Sequence, residues 1–184
     1  MSEERQRPWR LISSEYRIQT KFLRLRADRV ELPNGIVVED YFVRESRGFC
    51  IVFAVTPDKH VLLVRQYKHG AGEVLVELPA GMIDEGESPE ECAVRELIEE
   101  TGHTGAAPEL VRAFHTDPTN ATGRFYLYVV RDAVRTHEQQ FDVTEDIAVE
   151  TASIDEVRAM ALDGRIAAGA QVAAALVALA YLGR

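Results

Sequence analysis

Three glutamates in one short segment have the chemistry of a divalent metal site. Glu96, Glu99 and Glu100 lie within five consecutive residues, and residues three and four apart share one face of a helix. Like charges this close repel each other, and the neighbouring Arg95 offsets only part of their charge. Carboxylate oxygens at this density suit Mg²⁺ or Mn²⁺. The alternative is a solvated acidic helix face, which is the usual meaning of a glutamate run taken alone.

The residues around the glutamates predict a loop followed by a capped helix. Residues 81–86 are rich in turn formers, Ser88 is suited to the N-cap, and Glu91 completes a capping box. The helix should run over about residues 89–101 and stop at Gly102. The predicted apolar stripe that anchors this helix consists of Ala93, Val94, Leu97 and Ile98.

The whole stretch from Gly81 to His103 resembles the Nudix box. That pattern is a glycine, five residues, Glu, seven residues, then Arg-Glu-aliphatic-x-Glu-Glu-x-Gly-aliphatic. Only the last position departs, because His103 stands where the pattern has an aliphatic residue. A match at eight positions with fixed spacing favours the metal site over the solvated face. The matching residues are Gly81, Glu87, Arg95, Glu96, Leu97, Glu99, Glu100 and Gly102.

The resemblance implies a fold and a chemistry. Nudix proteins are α/β/α sandwiches with a mixed sheet, and they hydrolyse nucleoside diphosphates linked to another group, using two or more divalent cations held by carboxylates. It further implies that Arg95 and Glu87 hold the glutamates in place, with Arg95 and Glu99 counted among the catalytic residues. The implied metal ligands are Glu96 and Glu100, with Glu99 as a further or water-mediated ligand and Ala80 through its carbonyl.

The flanking residues resemble one group within that family, the ADP-ribose pyrophosphatases and nucleoside diphosphate sugar hydrolases. Residues 66–68 (Gln-Tyr-Lys) precede residues 77–81 (Glu-Leu-Pro-Ala-Gly), as in that group. Lys68 stands where the group usually has arginine, so it would bind a phosphate as a point charge without the bidentate fork. Pro118, 16 residues after Gly102, is a further mark of the group. The expected substrate is ADP-ribose or a similar sugar nucleotide; GDP-mannose, or nucleotide binding without cleavage, are the alternatives.

The catalytic base is expected on a polar connection over residues 132–145, since loops of this length tend to be functional or disordered. Glu145 resembles the metal-binding end of the corresponding loop in relatives and is the first candidate, as ligand or base. Asp142 and Glu138 are the alternatives. A solvated loop carboxylate is the competing interpretation for all three.

Recognition of the nucleoside would involve aromatic and cationic residues near the N-terminus. Trp9, Tyr16 and Arg44 have suitable chemistry for stacking on a base or binding phosphate, although ordinary packing is the simpler role for Trp9. Relatives of this group are commonly dimers, so we expect a homodimer.

Composition bounds the remaining possibilities. The chain has 184 residues, of which 46% are apolar, as expected for one globular domain with an appendage. A net charge of −9 argues against binding to a nucleic-acid backbone. Cys50 and Cys92 offer neither a disulfide framework nor zinc spacing, so buried reduced thiols are expected. The first ten residues contain no apolar segment of signal-peptide type, which favours a cytoplasmic protein.

The order of patterns along the chain predicts an α/β fold. Residues 21–32 alternate as a strand whose phase shifts near Arg29, which indicates a bulge. Residues 33–35 (Pro-Asn-Gly) indicate a hairpin to a strand over residues 36–44. Residues 49–56 form an apolar run typical of a strand buried on both faces. Further predicted strands cover residues 61–67, 74–81, 110–115, 124–130 and 146–151.

The C-terminal part predicts two helices. A second capping box at residues 153–156 opens a helix ending near Gly164. Residues 166–182 are almost wholly apolar, but this 17-residue stretch is marginal for a membrane span. Since Val172, Leu176 and Leu179 share one stripe, a core-packed helix is favoured. We therefore expect an N-terminal β-hairpin region over residues 1–46, which could form a dimer, and a Nudix-type domain over residues 47–184.

Overall fold

The computed structural model describes residues 7–140 and 146–184. It divides into two compact units, the first comprising Met1–Arg47 with His115–Arg124 and the second Gly48–Phe114 with Phe125–Arg184. The strands are β1 (Arg10–Gln19), β2 (Arg24–Glu31), β3 (Val37–Glu45), β4 (Phe49–Ala54), β5 (His60–Lys68), β6 (Glu73–Glu77), β7 (Ala80–Met82), β8 (His103–Thr104), β9 (Glu109–His115), β10 (Arg124–Val130), β11 (Val134–Arg135) and β12 (Ile147–Ser153). The helices are α1 (Pro89–Thr101), α2 (Ile154–Asp163) and α3 (Gly169–Tyr181).

The first unit contains a three-stranded antiparallel sheet in the order β1-β2-β3. The register of β2 on β3 shifts between Asp28 and Val30, which confirms the bulge predicted near Arg29. The predicted hairpin is also confirmed, with Gly35 at a φ of 83°, where a residue without a Cβ is favoured. Sequence patterns missed β1, because its side chains are nearly all exposed and show no buried alternation.

The second unit places a mixed sheet and antiparallel sheets between helices, which confirms the predicted α/β fold. The mixed sheet has the order β7-β4-β10-β9, with β4 and β10 parallel, a second sheet has the antiparallel order β12-β5-β6, and β11 and β8 form a short antiparallel pair. Strand β4 is buried on both faces, as its apolar run predicts. Ile51 and Phe53 pack in one core cluster with α2 and α3, whereas Cys50 and Val52 pack in a second cluster with α1. The sheet is therefore covered by helices on both faces.

The strand predicted over residues 74–81 is wrong, because the structure has two strands there. Strand β6 pairs with β5 and strand β7 pairs with β4, in different sheets. Between them, the amide and carbonyl of Leu78 bind the side-chain amide of Gln171 at 3.0 and 3.2 Å, and Pro79 has no amide to donate. The chain therefore leaves one sheet and enters the next immediately before the acidic loop.

The two C-terminal helices lie where the sequence predicts them. Ser153 caps α2 by accepting a hydrogen bond from the amide of Glu156, and Gly164 ends the helix in a left-handed conformation. Helix α3 packs in the core, as predicted, with Leu179 fully buried and Val172 and Leu176 partly buried against the same cluster. Small side chains allow the close approach to the sheet; the buried residues are Gln171, Ala174, Ala175, Ala178 and Leu179. Within the described residues, no helix is both long and apolar enough to span a membrane.

Candidate active site

Helix α1 begins and ends at the residues that its caps predict. The Ser88 hydroxyl accepts a hydrogen bond from the Glu91 amide at 3.2 Å, and the Glu91 carboxylate accepts one from the Ser88 amide at 2.8 Å. Gly102 adopts a left-handed conformation with a φ of 71°, and its amide donates to the carbonyl of Ile98. These local bonds fix the helix limits and hence the positions of the glutamates.

The buried face of α1 differs from the predicted apolar stripe. Val94 is 40% exposed and Ile98 is only partly buried, so the stripe was wrong for these two residues. The rotation of the helix instead buries Glu96 and Glu100, which are 7% and 4% exposed. The other buried residues of the helix are Cys92, Ala93, Leu97 and Thr101. Two acidic side chains therefore face the protein interior rather than solvent.

The two buried glutamates contact residues of strand β7. The amide of Ala80 donates to Oε2 of Glu100 at 2.9 Å. Gly81 lies directly against the carboxylate of Glu96, and a Cβ atom at this position would overlap it. A side chain at position 81 would therefore displace the carboxylate of Glu96. The structure thus brings together Ala80, Glu96 and Glu100, three of the predicted metal ligands.

Arg95 connects the remaining acidic residues of the motif. Its Nε and Nη2 bind both carboxylate oxygens of Glu87 at 2.8 and 2.9 Å. Its Nη1 donates to Glu96 at 2.6 Å and to Glu99 at 3.0 Å, while Nη2 also reaches the carbonyl of Met82. The bidentate bond from Arg95 lowers the pKa of Glu87 from its usual value, and the same bond raises the pKa of Arg95. One guanidinium therefore orients three carboxylates.

The carboxylates of the motif bind protein hydrogen-bond donors and do not gather around one common point. Among residues 7–140 and 146–184, no three acidic, histidine or cysteine side chains converge as a ready-made metal cluster. The hydrogen bonds account for this, since Glu96 and Glu99 are directed to Arg95 and Glu100 is directed to the Ala80 amide. Three carboxylates, those of Glu87, Glu96 and Glu99, share the guanidinium of Arg95, so the local charge stays negative.

The loop after β11 is bound to the C-terminal end of α1. The Gln139 side chain donates to the carbonyl of Glu100 at 2.6 Å, and the Gln140 amide donates to the carbonyl of Glu99 at 2.9 Å. Thr136 and His137 donate their amides to the carbonyl of Gly102. These bonds satisfy carbonyls that a helix end leaves without partners.

Only one of the three candidates for the catalytic base lies among the described residues. Glu145 and Asp142 lie outside the described residues. Glu138 is described, and its side chain is 90% exposed and paired with Arg135 at 2.8 Å. The structure therefore places Glu138 as a surface carboxylate, whereas the assignment of Glu145 stays a prediction.

The Lys68 ammonium makes one ionic contact and one polar contact that the sequence did not predict. Its ammonium donates to Oε1 of Gln66 at 2.6 Å and lies 3.1 Å from Oε2 of Glu77. Glu77 is only 9% exposed. Sequence reasoning did not single out Glu77, although an acidic residue inside the apolar pattern of residues 74–78 was the available signal.

The first unit contains the residues predicted to recognise the nucleoside, and two of them, Trp9 and Arg44, are connected to one loop. Trp9 is 47% exposed and packs edge-on against Tyr41, with 5.3 Å between ring centroids. The Tyr41 hydroxyl donates to the carbonyl of Thr119, next to Pro118, at 2.6 Å. The backbone of Arg44 pairs with the same loop through an amide-to-Asn120 bond of 2.8 Å. Arg44 therefore borders the loop over residues 117–122, which contains Pro118, and Tyr41 connects Trp9 to the same loop. Tyr16 lies elsewhere in the unit and donates to Glu45.

Both cysteines are buried free thiols, as predicted. Cys50 on β4 and Cys92 on α1 lie with their sulfur atoms 2.9 Å apart. The bond to Cys92, together with burial, raises the pKa of Cys50. These residues pack α1 onto the sheet, and Nη2 of Arg95 lies 3.7 Å from the Cys92 sulfur.

Comparison with known proteins identifies the family. The model of the Nudix domain matches residues 45–175. The chain belongs to the Nudix family. A second model, the nucleoside diphosphate sugar hydrolase N-terminal domain, matches residues 9–43. These matches confirm both the predicted family and the predicted subgroup resemblance. Nudix hydrolases generally use divalent metal ions.

Two of the similar proteins are named ADP-ribose pyrophosphatase. The chain is 32% identical over 143 residues to an ADP-ribose pyrophosphatase of Bacillus subtilis (strain 168), covering 78% of this chain and 76% of that protein. It is 34% identical over 139 residues to an ADP-ribose pyrophosphatase of Mycobacterium tuberculosis, covering 72% and 67%. A crystal structure of an ADP compounds hydrolase matches with a TM-score of 0.83 at 20% identity, over 96% of this chain and 95% of that one. The last comparison shows a shared fold.

Proposed function

We propose that this Nudix enzyme hydrolyses the pyrophosphate bond of ADP-ribose, or of a similar nucleoside diphosphate sugar, to a nucleoside monophosphate and a sugar phosphate. The observation that carries the proposal is the pairing of an intact acidic helix with an N-terminal segment of the nucleoside diphosphate sugar hydrolase type. The names of the two relatives support ADP-ribose in particular. GDP-mannose or another sugar nucleotide is the second candidate.

The donor set at α1 fits a hard divalent cation. Every candidate ligand offers oxygen, which Mg²⁺ and Mn²⁺ prefer. Three carboxylates share the guanidinium of Arg95, and a fourth, that of Glu100, binds the Ala80 amide. Buried carboxylates need a compensating charge. We propose that two or more Mg²⁺ or Mn²⁺ ions bind here. The proposed ligands are the Ala80 carbonyl, Glu96, Glu99, Glu100 and Glu145.

The chain's own residues would prepare this site for hydrolysis. Bound divalent cations would neutralise the diphosphate and activate the attacking water. Arg95 holds Glu96 and Glu99 in position through its guanidinium, and the Ala80 amide orients Glu100. Glu145 is the proposed base that accepts the proton of the water. Support for this role comes from Gln139, which precedes Glu145 in the chain and bonds to the carbonyls of both Glu100 on α1 and Ile147, two residues after Glu145 in sequence.

We infer that the first unit recognises the nucleoside and forms a homodimer. An exposed Trp9 offers a flat surface for a base, and Arg44 of the same unit offers a cationic group for phosphate. Lys68, in the second unit, is the other proposed cationic group for phosphate. The three-stranded sheet and its β1–β2 connection also leave large apolar side chains exposed, as expected of a surface that a second copy covers. Those on the strands include Leu11, Tyr16, Ile18 and Phe42, and those in the connection are Phe22 and Leu23. Sedimentation velocity should give a dimer at micromolar concentration, and a monomer would contradict the inference. The absence of nucleic-acid and membrane partners and a cytoplasmic location stay predictions.

A substrate panel tests the reaction. The protein should convert ADP-ribose with Mg²⁺ to AMP and ribose 5-phosphate, as measured by chromatography, and EDTA should abolish the reaction. Comparison with GDP-mannose and other sugar nucleotides separates the two substrate candidates. A folded protein that cleaves none of them would reject the enzymatic proposal and favour a nucleotide sensor that binds without cleavage.

Substitution of one buried glutamate tests the assigned site. Glu100→Gln keeps the shape of the side chain but removes its charge, and kcat should fall by at least about 100-fold with the melting temperature nearly unchanged. Glu138→Gln is the matched control, because Glu138 is a surface carboxylate and its loss should leave kcat within about twofold. Equal activity of Glu100→Gln and the wild type would reject the proposed ligand.

A further inference from the structure

The β5–β6 ladder carries a polar trio of Gln66, Lys68 and Glu77. The ammonium of Lys68 donates to Gln66 at 2.6 Å and lies 3.1 Å from Glu77. An ammonium has three N–H donors, so one remains for a further acceptor. The Glu77 side chain is 12% exposed and the Lys68 side chain is 39% exposed. The carboxylate is therefore held inside, and the ammonium that it binds reaches the surface.

Side-chain alternation puts this trio on the sheet face that α1 covers. Gln66 and Lys68 alternate in phase with Leu62, which packs in the core cluster containing residues of α1. Leu78, the neighbour of Glu77, packs in the opposite cluster with α3. Glu77 consequently points to the α1 side, together with Gln66 and Lys68.

The trio also lies near the glutamate end of α1. Gln66 pairs with Ile147 across the β5–β12 ladder. The carbonyl of Ile147 accepts a hydrogen bond from Gln139, whose other bond goes to the carbonyl of Glu100. Only two residues separate Glu77 from Ala80, the residue that donates to the Glu100 carboxylate. Both connections join the trio to the proposed metal site.

Lysine needs such support in order to bind an anion at one defined point. Its ammonium is a point charge on a flexible four-carbon stem, whereas the arginine typical of relatives brings a rigid fork. A carboxylate as buried as Glu77 is also costly unless it is paired. The two requirements are met by one contact, in which Glu77 restricts Lys68 and Lys68 neutralises Glu77.

We propose that Glu77 is a positioning residue that holds the Lys68 ammonium where it meets the diphosphate of the substrate. Glu77 acts through Lys68 and does not itself contact the phosphate. This role rests on the proposed function, since it assumes a nucleoside diphosphate sugar as the ligand. It predicts that the effect of losing Glu77 depends on the presence of Lys68.

A double-mutant cycle tests this dependence. The proteins are the wild type, Glu77→Met, Lys68→Met and the double variant, with Glu77→Gln as a conservative replacement that keeps a hydrogen-bond acceptor. Glu150→Met is the matched control, because it breaks the exposed ion pair with Arg65, one residue before Gln66 on β5. Affinity is measured by calorimetry with Mg²⁺ and the α,β-methylene analogue of ADP-ribose, whose P–C–P bridge resists hydrolysis. Turnover of ADP-ribose is measured separately, and circular dichroism reports folding.

Glu77→Met should weaken binding of the analogue about tenfold, as expected for a hydrogen bond to a charged group, with Glu77→Gln intermediate and the control unchanged. In the Lys68→Met background, loss of Glu77 should weaken binding no further, or should restore part of it by removing an unpaired negative charge. An equal loss in both backgrounds, or tighter binding by Glu77→Met, would overturn the proposal.

The two proposals fail in different ways. A wild type that binds the analogue but does not hydrolyse ADP-ribose contradicts the proposed function, and the binding cycle still decides the role of Glu77. A wild type that hydrolyses ADP-ribose, with Glu77 acting independently of Lys68, contradicts only the role of Glu77. A wild type that neither binds the analogue nor cleaves ADP-ribose overturns both.

Discussion

Alanine at position 81 is a direct test of the packing between β7 and the acidic helix. A Cβ atom at Gly81 would overlap the carboxylate of Glu96 and no backbone atom among its three nearest neighbours. Because only the end of a flexible side chain is in the way, the fold should survive, and the carboxylate of Glu96 should move.

The required movement is large on the scale of metal coordination. Non-bonded carbon and oxygen atoms settle roughly 3.5 Å apart, so the carboxylate must retreat by more than about 1 Å. Metal–ligand distances tolerate only about 0.2 Å. If Glu96 is a ligand, as we propose, Gly81→Ala should lower kcat at least about 100-fold and weaken Mn²⁺ binding. The melting temperature should change by less than about 4 °C, which corresponds to about 1 kcal/mol.

The assay compares Gly81→Ala with Gly70→Ala. Gly70 has open space around the position of a Cβ and no left-handed φ, so its replacement should leave activity unchanged. Turnover of ADP-ribose gives kcat, and electron paramagnetic resonance of free Mn²⁺ gives the metal affinity. Wild-type turnover and Mn²⁺ affinity in folded Gly81→Ala would refute the placement of Glu96 as a ligand.

Three other predictions concern the surroundings of the site. Arg95 lowers the pKa of Glu87. The stabilisation from this pair is therefore present above the usual carboxyl pKa of about 4.3 and is lost as the pH falls through the lowered pKa. Between about pH 5 and pH 3, the melting temperature of Glu87→Gln should consequently fall less than that of the wild type. Because Cys50 and Cys92 are buried and the pKa of Cys50 is raised, a disulfide reagent at about pH 8 should label neither thiol in the folded protein and both in guanidinium chloride; rapid labelling of the folded protein would contradict this. Leu179→Ala should cost about 2–5 kcal/mol in urea unfolding, and a change below about 0.5 kcal/mol would contradict the core position of α3.

Elements whose signals are local could be predicted from sequence. The limits of α1 follow from Ser88 and Gly102, which satisfy the helix ends through neighbours in the chain. The bulge near Arg29 and the hairpin at Gly35 are equally local, since each depends on side-chain alternation or on one backbone angle. The spacing of the acidic box also lies within one loop and one helix.

Elements that depend on distant partners could not be predicted from the sequence. Strand β1 has no buried face of its own, so its polar sequence gave no strand signal. The predicted strand over residues 74–81 is divided by Gln171, which is 93 residues from Leu78 in sequence. Local periodicity assigned Val94 to the buried stripe of α1, although the helix is turned so that Glu96 and Glu100 are buried.

The sequence by itself determined the Nudix family, the order of chemistry-bearing residues and the helix that carries them, because fixed spacing and helix caps act over a few residues. Only the tertiary structure decided which carboxylates are buried and that Glu77 holds Lys68. It also decided that one guanidinium, that of Arg95, binds Glu87, Glu96 and Glu99 together. Contacts of this kind join residues from separate strands and helices, and their geometry is set by how the sheets and α1 pack together.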